Sequence, residues 1–295
     1  MPIRSAIRSI LFFFILMSTV SCAVLTKRVK RSSDITYSTA YTSPASARNK
    51  LDIYAPRKNK NPRNVMIFVH GGNWNAGDKG KYIFFGNRFA RKNIVTVLLN
   101  YRLSPGANYN DMAIDVAKAV EWTKNNIHHY GGNSEKIFIA GHSAGGHLAA
   151  LVTVKDEYFD SLGVESPIKG TILIDAAGLD MYSYLKDDAS DGGTKYLNTF
   201  TKSQDAWKDA SPIYHLKAEM PPFLIYRGGK TYPGIISSNE AFVQELQSHQ
   251  PVNYKVQKLL GHINMMVQFI YTLNPRYREI IRFMDNPDEN PFRRN

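Results

Sequence analysis

Short apolar runs alternate along the chain with stretches whose apolar residues recur every three or four positions. Val65-Met-Ile-Phe-Val69, Ile94-Val-Thr-Val-Leu-Leu99 and Phe223-Leu-Ile-Tyr226 are continuous runs of strand length, the kind buried on both faces of a parallel sheet. Lys136-Ile-Phe-Ile-Ala140 and Ile172-Leu-Ile-Asp175 read the same way. Ile35 to Tyr41 and Tyr254 to Leu259 alternate in period two, and Leu51 to Ala55 is a strand ended by Pro56.

Between these runs the period changes. Tyr82, Phe85, Phe89 and Ala90 are helically spaced within Lys79–Lys92. Ala113, Val116, Ala117, Val120 and Ile127 follow the same rule, and Gly131-Gly132 closes that helix. Leu148–Val154, Asn239–Leu246 and a segment starting at Ile263 are further helices. Strand and helix recurring in this order predict an α/β fold: a mostly parallel central sheet with helices on both faces. From Met181 to Pro212 the pattern dissolves into Tyr, Asp, Gly and Ser, which predicts a cap-like excursion over residues 181–212. The domain is expected to span 35–285, after a linker at 23–34 and before a polar tail at 286–295.

The 295 residues suit one large domain, and 43% hydrophobic content excludes a disordered chain. A net charge of +12 predicts a basic surface. No basic stretch comes with a recognition element, so nucleic acid is not an expected partner. The first 22 residues have the three-part build of a secretory signal: Arg4 and Arg8, the apolar run Ile10 to Met17, then Ser18-Thr-Val-Ser21-Cys22. Cys22, the single cysteine, stands where a bacterial lipoprotein would be cleaved and lipidated. The expectation is an exported periplasmic or cell-envelope lipoprotein. The alternative is membrane attachment through an uncleaved N-terminal segment, with the basic run Lys27-Arg28-Val-Lys30-Arg31 retained inside.

Two motifs carry the chemistry. Gly141-x-Ser143-x-Gly145 lies between an apolar strand and a helix, the pattern of a serine lifted out of a sheet on a sharp turn. Upstream, His70-Gly71-Gly72-Asn73-Trp74 leaves another apolar strand. Backbone N–H groups of such a loop, with the one after the serine, can bind a tetrahedral oxyanion. In this order the motifs resemble the α/β-hydrolase superfamily, specifically the HGG-type carboxylesterases, with feruloyl-esterase-like and kynurenine-formamidase-like members nearby. The resemblance spans roughly residues 50 to 275 and includes Asn100-Tyr-Arg-Leu-Ser-Pro105, whose Arg102 is expected to brace the site by pairing with a carboxylate.

The resemblance implies a serine esterase that acts on a small-molecule ester through an acyl-enzyme. Ser143 is the nucleophile, His262 the base, and Gly71, Gly72 and Ala144 the oxyanion donors. Chain order, Ser then His, fits. The acid departs from the family pattern: after the strand ending at Tyr226, Gly228-Gly229-Lys230 is followed by Thr231 where Asp or Glu is usual. Asp175 is the first substitute; Asp180 and Glu240 are the others. The missing acid keeps a non-catalytic binding module open as an alternative, beside formamidase or amidase chemistry with the same residues. Trp74, Tyr182, Tyr184 and Trp207 are candidate pocket walls. No metal-ligand spacing or phosphate loop stands out, and the chemistry calls for no cofactor.

Overall fold

The computed structural model describes residues 28–39, 47–57, 61–190 and 194–293. The expected signal and Cys22 lie outside the described residues. The eight strands β1 Val29–Thr36, β2 Lys50–Pro56, β3 Arg63–Val69, β4 Val95–Leu99, β5 Gly132–His142, β6 Ile168–Ile174, β7 Phe223–Gly228 and β8 Asn253–Gln257 form one sheet. Their spatial order is β1-β2-β4-β3-β5-β6-β7-β8. The β1–β2 and β2–β4 pairs are antiparallel, and every pair from β4 through β8 is parallel.

Period two explains the layering. Val65, Ile67 and Val69 face one core, which receives the helices Tyr109–Asn126, Ala144–Val154 and Pro233–Leu246. Met66 and Phe68 face a second core on the other side, built with Phe85, Phe89, Phe269 and Phe283. The long helix starts at a capping box: the Asn108 side chain accepts from the Asp111 N–H, and the Asp111 carboxylate accepts from the Asn108 N–H. The loops that follow β3, β5, β6, β7 and β8 all open on the C-terminal edge of the sheet, where open α/β sheets bind ligands.

Four expectations need correction. The sheet begins at Val29, not at residue 35, so the supposed linker at 23–34 partly belongs to it. Only Val29 of this strand is buried, so no apolar alternation marks it; Asp52, fully buried next door, holds Arg31 at 2.7 Å and Lys79 at 2.6 Å. The 181–212 excursion is helical rather than irregular, with Met181–Ser190, Leu197–Phe200 and Gln204–Asp209. The tail is not merely polar: the Phe292 ring packs edge-on to Tyr226 at 6.2 Å under the Lys255 ammonium. Beyond Ile263 the helix lasts one turn, Asn264–Val267, before a 3-10 turn and the helix Arg276–Asp285. Among the described residues no helix is long and apolar enough to cross a membrane.

Arg102 is buried, and Asp115 Oδ2 accepts from both its N–H at 2.9 Å and its Nε–H at 2.8 Å. Removing the carboxylate takes the Nε–H partner from a buried guanidinium, which keeps the Asp111 carbonyl at 3.1 Å and the Asp111 carboxylate at 3.6 Å. Asp115→Ala is expected to lower unfolding free energy by about 3 kcal/mol in urea titration; a loss under about 1 kcal/mol would deny the pair its bracing role.

Candidate active site

Ser143 sits between β5 and the buried helix Ala144–Val154 with φ 55° and ψ −125°, a conformation that side-chain-bearing residues rarely adopt. The turn closes because its neighbours carry no Cβ. A Cβ on Gly141 would lie 2.2 Å from Gly145 O, and one on Gly145 would lie 2.1 Å from Val69 O. The Ser143 carbonyl accepts from the His147 and Ala177 N–H groups, both at 3.1 Å. The strained residue is therefore pinned from two sides.

The β3 loop lies against this turn. A Cβ on Gly71 would be 2.8 Å from His142 O and 3.0 Å from Ser143 Cβ. Gly72 has φ +135°, and its carbonyl accepts from Asn75 and Ala76 in a tight turn. Of the three expected oxyanion donors, Gly71 differs from the others: its backbone interacts with the Tyr82 hydroxyl, opposing the rise that burial gives this phenol. Among the described residues the Gly72 and Ala144 N–H groups have no hydrogen-bond partner.

His262 follows β8, and its Nδ1–H donates to Asp175 Oδ2 at 2.6 Å. Asp175 is fully buried at the end of β6, with φ 48°. Its Oδ1 accepts from the Gly228 N–H at 2.7 Å, and its Oδ2 also accepts from the Thr231 hydroxyl at 2.5 Å. Burial alone would raise this carboxyl. The bonds from His262, Thr231 and Gly228 outweigh it and hold the group below the usual carboxylate range. The other two acid candidates are elsewhere. Asp180 lines the cavity, but its Oδ1 accepts from the Ser183 N–H at 3.0 Å. Glu240 is exposed and paired with Arg227 at 2.7 Å.

Two further histidines are structural. The His142 ring stacks on His262 at 4.6 Å, and its Nε2–H donates to His262 O at 3.3 Å. Burial, and then the neighbouring His262, lower His142 to about 3. His147 takes the Trp74 Nε1–H on Nδ1 at 3.1 Å and gives its Nε2–H to Ala210 O at 2.7 Å.

Ser143, His262, Gly71 and Gly72 line one cavity of about 630 Å³. Trp74 and Tyr184 line it, as expected; Tyr182 does not, and Trp207 is buried in the core with its Nε1–H on Thr201 O. Tyr82, expected only as a helix position, and Tyr196 and Tyr232, which local sequence pattern does not single out, complete its aromatic wall. Thr231 was visible as an anomaly at the usual acid position, and its contact with Asp175 was not. Among the described residues, no group of three or more His, Cys, Asp or Glu side chains is placed to hold a metal ion.

The BD-FAE family model matches residues 51–239. The "Probable carboxylic ester hydrolase LipM" of Mycobacterium tuberculosis is 31% identical over 201 residues, which are 64% of this chain and 47% of that protein. The "Probable isoprenylcysteine alpha-carbonyl methylesterase ICMEL1" of Arabidopsis thaliana is 27% identical over 216 residues, 68% of this chain and 45% of that one. The chain thus spans about half the length of the curated relatives it matches. Among solved structures, esterase B of Lactobacillus rhamnosis superposes with a TM-score of 0.71 at 18% identity, over 95% of this chain and 96% of that one. The likeness establishes the α/β-hydrolase fold.

Burial sets His70 and His147 at about 4 and His142 at about 3. Unfolded, each has an ordinary value of about 6.5. Below that value the unfolded chain binds protons that the folded chain refuses, so stability falls as pH falls from 6.5 toward 4. Three such groups together give a limiting slope of about 4 kcal/mol per pH unit. Urea midpoints at pH 7, 6 and 5 are expected to drop with increasing steepness; flat midpoints would mean the rings are not held neutral.

Proposed function

The chain belongs to the BD-FAE family, and from that premise we propose that it is a serine carboxylesterase working through an acyl-enzyme at Ser143. The observation that carries the reading is the His262–Asp175 contact at 2.6 Å, in the loops that bound the cavity lined by Ser143. Serine's hydroxyl is a weak nucleophile and needs a base. As Ser143 Oγ bonds to the ester carbonyl carbon, His262 Nε2 takes its proton. The imidazolium that forms is stabilised by the Asp175 carboxylate, which also fixes Nδ1 as the protonated nitrogen. The carbonyl oxygen becomes an oxyanion, met by backbone N–H groups of the Gly72 loop and Ala144. Collapse expels the alcohol with the proton from His262. Water then repeats the sequence and frees the acid.

The binding-only alternative rested on a missing acid, and the His262–Asp175 contact at 2.6 Å supports the catalytic reading over it. The names of the relatives, a carboxylic ester hydrolase and a methylesterase, favour esters over amides as substrates.

Localisation at the cell envelope through Cys22 is part of the same proposal, supported by the three-part N-terminal sequence. β1 enters at Val29 opposite Pro56, the edge of the sheet away from the cavity. Fatty-acid labelling that persists in Cys22→Ala would exclude attachment through Cys22.

Hydrolysis of p-nitrophenyl acetate, butyrate and octanoate tests the chemistry. Ser143→Ala and Asp175→Asn are expected to lower kcat by about 10³-fold or more, and Asp180→Asn by less than about threefold. Ser143→Ala with undiminished turnover would overturn the mechanism, as would failure of a serine-directed phosphonate to label the folded protein.

A further inference from the structure

We infer that Thr231 is a positioning residue for the acid, and that position 231 lies close enough to His262 to hold the acid itself. The inference rests on the serine-esterase reading above. Its starting point is one carboxylate oxygen. Asp175 Oδ2 receives two donors, His262 Nδ1 at 2.6 Å and Thr231 Oγ1 at 2.5 Å, while Oδ1 is held by the Gly228 N–H. Both oxygens are thus fixed, and the lone pair that meets the imidazole cannot swing away. Gly228 and Thr231 both belong to the end of β7 and the loop after it, so the strand that normally supplies the acid supplies its support instead.

The residue type follows from charge. An aspartate at 231 beside Asp175 would press two carboxylates into contact, and one would be held protonated. A hydroxyl donates where a second carboxylate would repel. Threonine's β-branch also restricts χ1, which keeps the donor aimed. One carboxylate can therefore occupy either strand end, but not both.

That exclusivity is testable by exchange. With Asp175 reduced to glycine, which suits φ 48° and leaves room, an aspartate at 231 extends past the present hydroxyl toward Nδ1. The experiment measures kcat, KM and the pH profile for p-nitrophenyl butyrate in wild type, T231S, T231V, D175G and D175G/T231D, with thermal unfolding of each. T231S is expected within about threefold of wild type. T231V, of nearly equal volume, is expected to lose about tenfold in kcat with KM unchanged, as for a lost bond to a charged group. Its acidic limb should move to higher pH, because Asp175 without the Thr231 hydroxyl is a more basic partner for the imidazole. D175G is expected to lose about 10³-fold, and D175G/T231D to regain at least about tenfold of that.

T231V with wild-type kcat and an unmoved limb overturns the positioning role. A folded D175G/T231D enzyme no faster than D175G overturns the reach of position 231. The controls separate this failure from that of the underlying reading: if D175G or Ser143→Ala retains full activity, the esterase mechanism falls, and this inference with it.

Discussion

One close approach organises the site: the first turn of the elbow helix Ala144–Val154, so called because it leaves the sharp turn at Ser143, against the end of β3. At Gly145 there is no room for a single added carbon beside the Val69 carbonyl. That contact holds Ser143 in a conformation a free chain avoids, at a cost on the order of 1–3 kcal/mol that the surrounding packing must offset. The same strand end continues into His70 and Gly71, and Gly71 lies against the His142 carbonyl and Ser143 Cβ. The nucleophile and the loop facing it are therefore positioned by one steric fit between two neighbouring parallel strands, not by two independent loops.

The acid shows how tolerant this arrangement is of its parts. β6 and β7 are parallel neighbours in register, Ile174 opposite Tyr226, and the Asp175 N–H donates to Tyr226 O at 2.7 Å. Moving a carboxylate from one strand end to the next shifts it by about one strand spacing, roughly 4.8 Å. A side chain from either end can span that distance to a histidine entering from β8. What cannot move is the number of charges: burial penalises a second carboxylate more than the imidazole could reward it.

The parallel core was legible in the sequence because burial on both faces leaves continuous apolar runs such as Val65–Val69. The elbow and the β3 loop were legible because steric exclusion writes glycine at fixed spacings. β1 was not, since an exposed edge strand whose single buried side chain is Val29 leaves no period-two signal. The acid was legible only as three alternatives. Asp175, Asp180 and Glu240 are chemically alike along the chain; the distinction lies in Gly228, Thr231 and His262 converging on the first, while Ser183 and Arg227 take the other two. Such convergence is a property of the sheet, not of any window of residues.

The excursion at 181–212 was foreseen as a cover and not as a fixed wall. Trp74 explains why it is one. Its ring meets His147, Tyr196 and Phe200 edge-on at 5.4, 5.4 and 4.9 Å, and its indole N–H bonds to His147, which in turn bonds to Ala210 O beyond the excursion's last helix. Lys155 and Tyr109 hold Asp209 from the helices beneath. The cap is thus keyed to the elbow helix and to the loop that faces the nucleophile. The dimensions of the pocket are set by the packing that sets the catalytic turn, so a change in Trp74 or His147 acts on substrate shape and on the nucleophile through the same contacts.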